Sequence, residues 1–156
     1  METKKILVLG ESDSGKRTAL NHVCSNLVET KAASYGKTTI NNKKLQIFSP
    51  SSALRFNFMK DILSKNVDGA IIVIDNTQGI TPSCEEMIDF VEEKCVPYII
   101  FANKQDLSNT PLYTQYPDVI IIPTEAISGK GISEGIISLL ELMEPEYIRK
   151  IKAISC

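Results

Sequence analysis

The chain has 156 residues, 43 % hydrophobic and 23 % charged. This is ordinary globular composition at single-domain length, and it excludes a disordered, collagenous or disulfide-scaffold chain. Its 17 basic and 19 acidic residues leave a formal charge of −2, which argues against a broad basic face for nucleic acid and against a polybasic membrane anchor.

The elements are read in chain order. Ile6–Leu9 is a short apolar run that does not alternate with polar residues, the mark of a strand covered on both faces. Residues 15–27 open after a glycine and carry Ala19, Val23 and Leu27 four apart, which predicts a helix. Tyr35–Ile40 and Lys43–Phe48 flank Asn41-Asn42, a pair able to supply the positive φ angles of a tight hairpin turn. Residues 53–64 read as a further helix, and Ala70–Ile74 as a second buried strand. Residues 82–94 predict a helix with Thr81 as cap, Pro82 at the first position and Glu85 and Glu86 in the first turns. Tyr98–Ala102 and Val119–Ile122 complete the set of buried strands. Residues 132–143 put Ile132, Ile136, Leu139, Leu140 and Met143 on one helix face, and the tail after Pro145 reads as a short extra helix or a frayed end. Alternating strand and helix predicts an α/β fold. The expected organisation is one domain over 1–156, with a core at 4–143 and an extension at 144–156.

Cysteine usage is uninformative for metals. Cys24, Cys84, Cys95 and Cys156 form no CxxC pair and His22 is the one histidine, so no zinc site is expected. Reduced, mostly buried thiols in a cytoplasmic protein are the expectation, with Cys84 and Cys95 too far apart to bridge. The apolar run at the N-terminus is too short for a signal peptide, no run approaches the roughly 20 residues of a membrane span, and a cysteine in last place is no prenylation box. His22 reads as a packed or exposed side chain without a catalytic role.

Three segments carry chemistry. Gly10 opens GESDSGKRT between a strand and a helix, the setting of a phosphate-binding loop. Gly10 and Gly15 permit a tight turn and close backbone approach. The N–H groups of Asp13, Ser14, Gly15, Lys16, Arg17 and Thr18 would converge on phosphates, aided by the helix dipole, and Lys16 would add a point charge. The bland reading is a glycine helix start with a surface lysine, and the strand–loop–helix setting weighs against it. The second segment, Asn103-Lys104-Gln105-Asp106, directly follows a strand. Asp106 could accept both the ring N–H and the exocyclic N–H of guanine, a pairing adenine cannot make. Asn103 would tie this loop to the phosphate loop, and the stem of Lys104 would lie on the base. Alternatively, Asp106 caps a short helix in a polar strand-end loop. In Thr124-Glu125-Ala126-Ile127, a backbone N–H near Ala126 would meet the guanine carbonyl oxygen, a weak signal by itself.

These segments, with VDGAIIVIDNTQGI, VPYIIFANKQDL and KLQIF followed by RF and FM, resemble the Ras-like and Arf-like small GTPases, in flavour closest to compact prokaryotic and archaeal members, from about Lys4 to Met143. The resemblance implies a three-layer αβα P-loop fold with a five- or six-stranded, mostly parallel sheet and one antiparallel hairpin strand. It also implies GTP/GDP binding, switching between the two forms and unidentified protein partners; neither nucleic acid nor a membrane anchor is expected.

Departures from the family pattern fall on the γ-phosphate and magnesium side. The Mg²⁺-ligating Ser or Thr after the lysine is Arg17, and Thr18 lies about 100° further round the helix. The DxxG segment aligns with Ser49-Pro50-Ser51-Ser52, and the water-positioning glutamine with Ala53. The first switch loop is short, with Thr30 its best threonine candidate and Thr38 and Thr39 behind it. Asp13 adds a negative charge to the phosphate loop, and Glu125 replaces a small residue before Ala126. Asp75 ends a strand and is assigned no metal. The base-reading half is thus intact and the hydrolytic half is not. No catalytic residue is assigned, Mg²⁺ dependence is left open, and Arg17 is a candidate counter-charge to the phosphates; the competing reading leaves it facing solvent. The expected function is a guanine-nucleotide-binding switch with impaired or absent hydrolysis. The alternative is a nucleotide-free pseudo-GTPase acting as an interaction scaffold.

Overall fold

The computed structural model describes residues 3–31, 33–51 and 66–144. The helix expected over 53–64, the tail after Pro145, and Ser52 and Ala53 lie outside the described residues. In chain order the elements are β1 (Thr3–Gly10), α1 (Lys16–Val23), β2 (Val28–Glu29), β3 (Ala33–Ile40), β4 (Lys43–Pro50), β5 (Gly69–Asp75), α2 (Pro82–Glu93), β6 (Tyr98–Asn103), β7 (Ile121–Pro123) and α3 (Ile132–Leu142).

The strands form one sheet in the order β2-β3-β4-β1-β5-β6-β7. β1 runs parallel to both β4 and β5, and β6 runs parallel to both β5 and β7. Only β3 is reversed, antiparallel to β2 and β4. The fold is therefore the predicted α/β class with one antiparallel hairpin strand. The seven strands among the described residues exceed the five or six that the resemblance implied, the added one being the two-residue, exposed β2.

Successive side chains of β1 serve opposite faces. Ile6 and Val8 join Ala19 and Leu20 of α1 and Ile132, Ile136, Leu139 and Leu140 of α3 in one buried cluster. Leu7 and Leu9 join Cys84, Ile88 and Val91 of α2 in the other. Helices on both sides explain why the central strands are apolar at consecutive positions. Asn41 (φ 51°) and Asn42 (φ 63°) make the two-residue turn between β3 and β4, as expected of residues that tolerate the left-handed region. Thr81 caps α2 by accepting from the Cys84 N–H at 3.3 Å, with proline inside the first turn.

Three expectations are corrected. α1 ends at Val23 rather than near residue 27, because Cys24 is extended (φ −105°, ψ 123°) and buried against Gly36, where a Cβ would sit 2.5 Å from the Cys24 sulfur. The last strand runs Ile121–Pro123 rather than Val119–Ile122: Val119 and Ile120 precede it outside the strand, and it extends one residue further, to Pro123. Cys24 and Cys84 are buried free thiols as expected, but Cys95 is disulfide-bonded, which overturns the reduced state for that residue.

Candidate functional site

The three motif segments follow the ends of β1, β6 and β7, neighbouring parts of one sheet edge. In the first, Asp13 (φ 63°) and Gly15 (φ 101°) take left-handed conformations that turn the chain into α1. The Ser14 N–H closes the turn on the Glu11 carbonyl at 3.2 Å. The first helical bond back is from Ala19 N–H to Gly15 O at 2.9 Å. The N–H groups of Lys16, Arg17 and Thr18 therefore have no acceptor within the helix, and the positive end of the dipole is there. Both glycines are sterically required. A Cβ at Gly10 would lie 2.7 Å from the Ser14 hydroxyl and from the Val73 carbonyl, and one at Gly15 would fall 2.1 Å from Asn103 Nδ2. Lys16 folds over the loop and donates to Gly10 O at 2.7 Å and Pro50 O at 3.5 Å. Its neighbours there are carbonyl dipoles, and burial pushes its pKa down to about 8.

Asn103 joins all three loops. It is 2 % exposed; its Nδ2 donates to Ser14 O at 2.8 Å, and its Oδ1 accepts from the Ala126 N–H at 2.9 Å and the Thr124 hydroxyl at 3.1 Å. This is the tie to the glycine loop that the sequence predicts. The Ala126 N–H is thereby bonded to Asn103. The next N–H, that of Ile127, has no partner among the described residues. Glu125 closes its own loop through paired backbone bonds with Lys130 at 3.0 and 3.2 Å. Asp106 is exposed and its carboxylate has no partner among the described residues, so both its oxygens are free to accept.

Lys104 (φ 71°) places its ammonium 2.8 Å from Asp75 Oδ2. Burial raises the Asp75 carboxyl, but bonds from Lys104, the Thr77 hydroxyl (2.6 Å) and the Thr77 N–H (2.9 Å) outweigh it and hold the pKa below the usual value. Sequence reasoning gave no role to Asp75, nor to Asn76 or Glu11. Asn76 donates to Ser108 O and Thr110 O, and Glu11 accepts from the Thr81 hydroxyl at 2.5 Å. The only available signal was a polar Asp-Asn pair ending an otherwise apolar strand.

The γ-phosphate side differs from the resemblance in geometry as well as in sequence. Arg17 is 70 % exposed and its Nε pairs with Glu29 Oε1 at 2.9 Å, so without a nucleotide its side chain reaches β2. Thr18 is exposed. Ser49 is 5 % exposed and donates to Val8 O at 3.1 Å, so its hydroxyl belongs to the β1–β4 seam. A guanidinium cation and a hydroxyl spent on the backbone do not fit the two positions where the resemblance puts magnesium ligands. Among the described residues no group of three or more His, Cys, Asp or Glu could hold a metal. The Thr30 hydroxyl donates to Ala33 O at 3.0 Å and accepts from Ala33 N–H at 3.1 Å, closing the β2–β3 turn. Thr38 and Thr39 are ladder residues of β3 opposite Leu45 and Lys44.

Comparison with known proteins agrees with this geometry. Residues 56–143 match the family described as the Elongation factor Tu GTP binding domain. An uncharacterized protein of Methanocaldococcus jannaschii is 34 % identical over 139 residues, which is 83 % of this chain and 90 % of that one. Translation initiation factor IF-2 of Mycoplasma capricolum is 30 % identical over 109 residues, but those are only 18 % of its length. Among solved structures, the elongation factor SelB of Methanococcus maripaludis in complex with the GTP analogue GppNHp superposes with a TM-score of 0.74 at 19 % identity, over 92 % of this chain and 35 % of that one. The FeoB G-domain of Methanococcus jannaschii gives 0.70 at 19 % identity, over 92 % of this chain and 98 % of that one. At that identity the superpositions establish the fold, a P-loop GTPase α/β fold; with the sequence match to residues 56–143, they show that the chain belongs to the elongation factor Tu GTP-binding domain family.

Proposed function

We propose that this protein is a guanine-nucleotide switch of Ras-like or Arf-like type that binds GTP and GDP and hydrolyses GTP very slowly or not at all. The observation that carries the reading is the threefold bonding of buried Asn103, which brings Gly10–Thr18, Asn103–Asp106 and Thr124–Ile127 together. The N–H groups at the start of α1 and the Lys16 ammonium suit the phosphates, and the unpaired Asp106 carboxylate suits the guanine edge. The Ile127 N–H, next to Ala126, suits the guanine carbonyl oxygen. Slow hydrolysis is supported by Arg17 and Ser49, which stand where the resemblance puts magnesium ligands and are bonded to Glu29 and Val8. Even an intact Ras turns over at only about 10⁻⁴ s⁻¹ unaided.

Calorimetry with GDP, GTP and ADP, with magnesium and with EDTA, tests the proposal, and single-turnover phosphate release measures hydrolysis. GDP and GTP should bind, ADP should not, and chelation should change the affinity by less than about tenfold, since an arginine and a serine stand where the resemblance puts the magnesium ligands. Absence of heat with GDP at high micromolar protein would leave the nucleotide-free scaffold as the better account.

A further inference from the structure

We propose that Asp75 and Asn76, at the end of β5, position the base-reading turn and thereby set discrimination for guanine; this rests on the nucleotide reading above. The Asp106 carboxylate is exposed and makes no hydrogen bond or ion pair among the described residues. A solvated carboxylate on a loop is selective only when the backbone beneath it is held still. The turn carrying it closes on itself, with the N–H groups of Leu107 and Ser108 both donating to Lys104 O, at 2.9 and 3.0 Å. Both ends of that turn hang from β5. Lys104, two residues before Asp106, is held by Asp75 at 2.8 Å. The carbonyls of Ser108 and Thr110, two and four residues after it, receive the Asn76 amide at 2.9 and 3.1 Å.

Asn76 is 4 % exposed, and its backbone N–H donates to Asn103 O at 2.9 Å. Its Oδ1 is buried without a partner. Flipping the amide would aim that oxygen at two carbonyls, so the orientation is fixed by the clamp and the orphaned acceptor is its cost. A buried, half-satisfied amide at the end of an apolar strand marks a place where loop position outranks local stability. Neither residue belongs to the three motif segments, and both act through the turn rather than on the ligand.

The test compares binding of GDP, IDP and ADP to the wild type, Asn76→Ala, Asn76→Ser and Asp75→Asn, with a thermal melt of each. IDP lacks the exocyclic amino group, so the GDP-to-IDP affinity ratio reads the two-pronged acceptor at Asp106. The wild type should prefer GDP. Asn76→Ala should lower that ratio by about tenfold, the equivalent of one well-made hydrogen bond, while IDP affinity changes far less. Asn76→Ser, which retains one donor, should fall between, and Asp75→Asn should also lower the ratio. Should Asn76→Ala fail to fold, the two milder variants carry the test, because a purely structural role would lower the melting temperature and leave the ratio alone. A wild type that prefers GDP, with folded variants that keep its ratio or lose affinity equally for all ligands, would overturn this proposal alone. A wild type that binds none of them would overturn the nucleotide reading and this proposal with it.

Discussion

Lys16 shows how a single side chain is tuned by what surrounds it. Its amine is buried against carbonyls, and its pKa is down to about 8 from the usual 10.5. The free protein therefore sheds that proton above about pH 8, whereas a bound phosphate would favour the ammonium. Nucleotide affinity should thus fall as pH rises above about 8, by up to about tenfold per unit, with protons taken up on binding. Calorimetry in two buffers of different ionisation enthalpy measures the uptake, and a flat affinity from pH 7 to 9.5 would refute it. For folding the sign is opposite: the unfolded chain holds the proton up to pH 10.5, so the Lys16 contribution makes the fold more stable as pH rises from 8 to 10.5. Gly15 is a steric case. Alanine there would combine φ 101° with a Cβ 2.1 Å from Asn103 Nδ2, so Gly15→Ala should cost about 1–3 kcal/mol and disrupt the Asn103 bridge. Thermal denaturation reads the loss, and an unchanged melting temperature would contradict the packing described.

At the scale of elements, the start of α2 supports the phosphate loop as well as its own helix. The Thr81 hydroxyl accepts from the Cys84 N–H and donates to the Glu11 carboxylate, one residue beyond Gly10. Thr81→Ala should therefore cost about 1 kcal/mol as a lost cap, and should also weaken nucleotide binding because Glu11 loses its anchor. Thr81→Ser keeps the hydroxyl and should restore both. A variant that lowers the melting temperature but leaves GDP dissociation unchanged would separate the cap from the loop. The short β2 belongs to this scale too. Val28 and Glu29 are exposed, and the strand is held by β3 and by the Arg17–Glu29 pair. An exposed pair of this kind contributes little to stability, so Glu29→Gln should leave the melting temperature nearly unchanged.

For the whole molecule, the covering of both sheet faces decides which helix substitutions are tolerated. Gly135 sits mid-helix in α3, where alanine ordinarily favours the helix by about 1 kcal/mol. Here a Cβ would come 2.4 Å from the ring of Phe101, which is itself 2 % exposed in β6. Gly135→Ala should instead destabilise the fold by about 1–3 kcal/mol, because helix and sheet must separate to admit it. A urea melt gives the sign directly, and stabilisation would mean that α3 is less tightly seated than the buried cluster implies.

The sequence alone determined the apolar β1, β5 and β6, the Asn41-Asn42 hairpin, the Thr81-Pro82 helix start and the glycine loop. Each of these is local: a run of β-branched residues, a pair tolerant of positive φ, a cap followed by proline, or two glycines at a fixed spacing. The meeting of Asn103 with Ser14 was also readable, since it follows from a motif whose parts have a known order. The extent of α1, the fates of Thr30, Ser49 and Arg17, the commitment of the Ala126 N–H and the work of Asp75, Asn76 and Glu11 were not readable. Those depend on partners 3 to 70 residues away in the chain, such as Ala33, Glu29, Val8, Asn103, Lys104, Ser108 and Thr81. A hydrogen-bonding side chain names its chemistry in the sequence, but only the packed sheet brings up the one group that takes its proton or its lone pair.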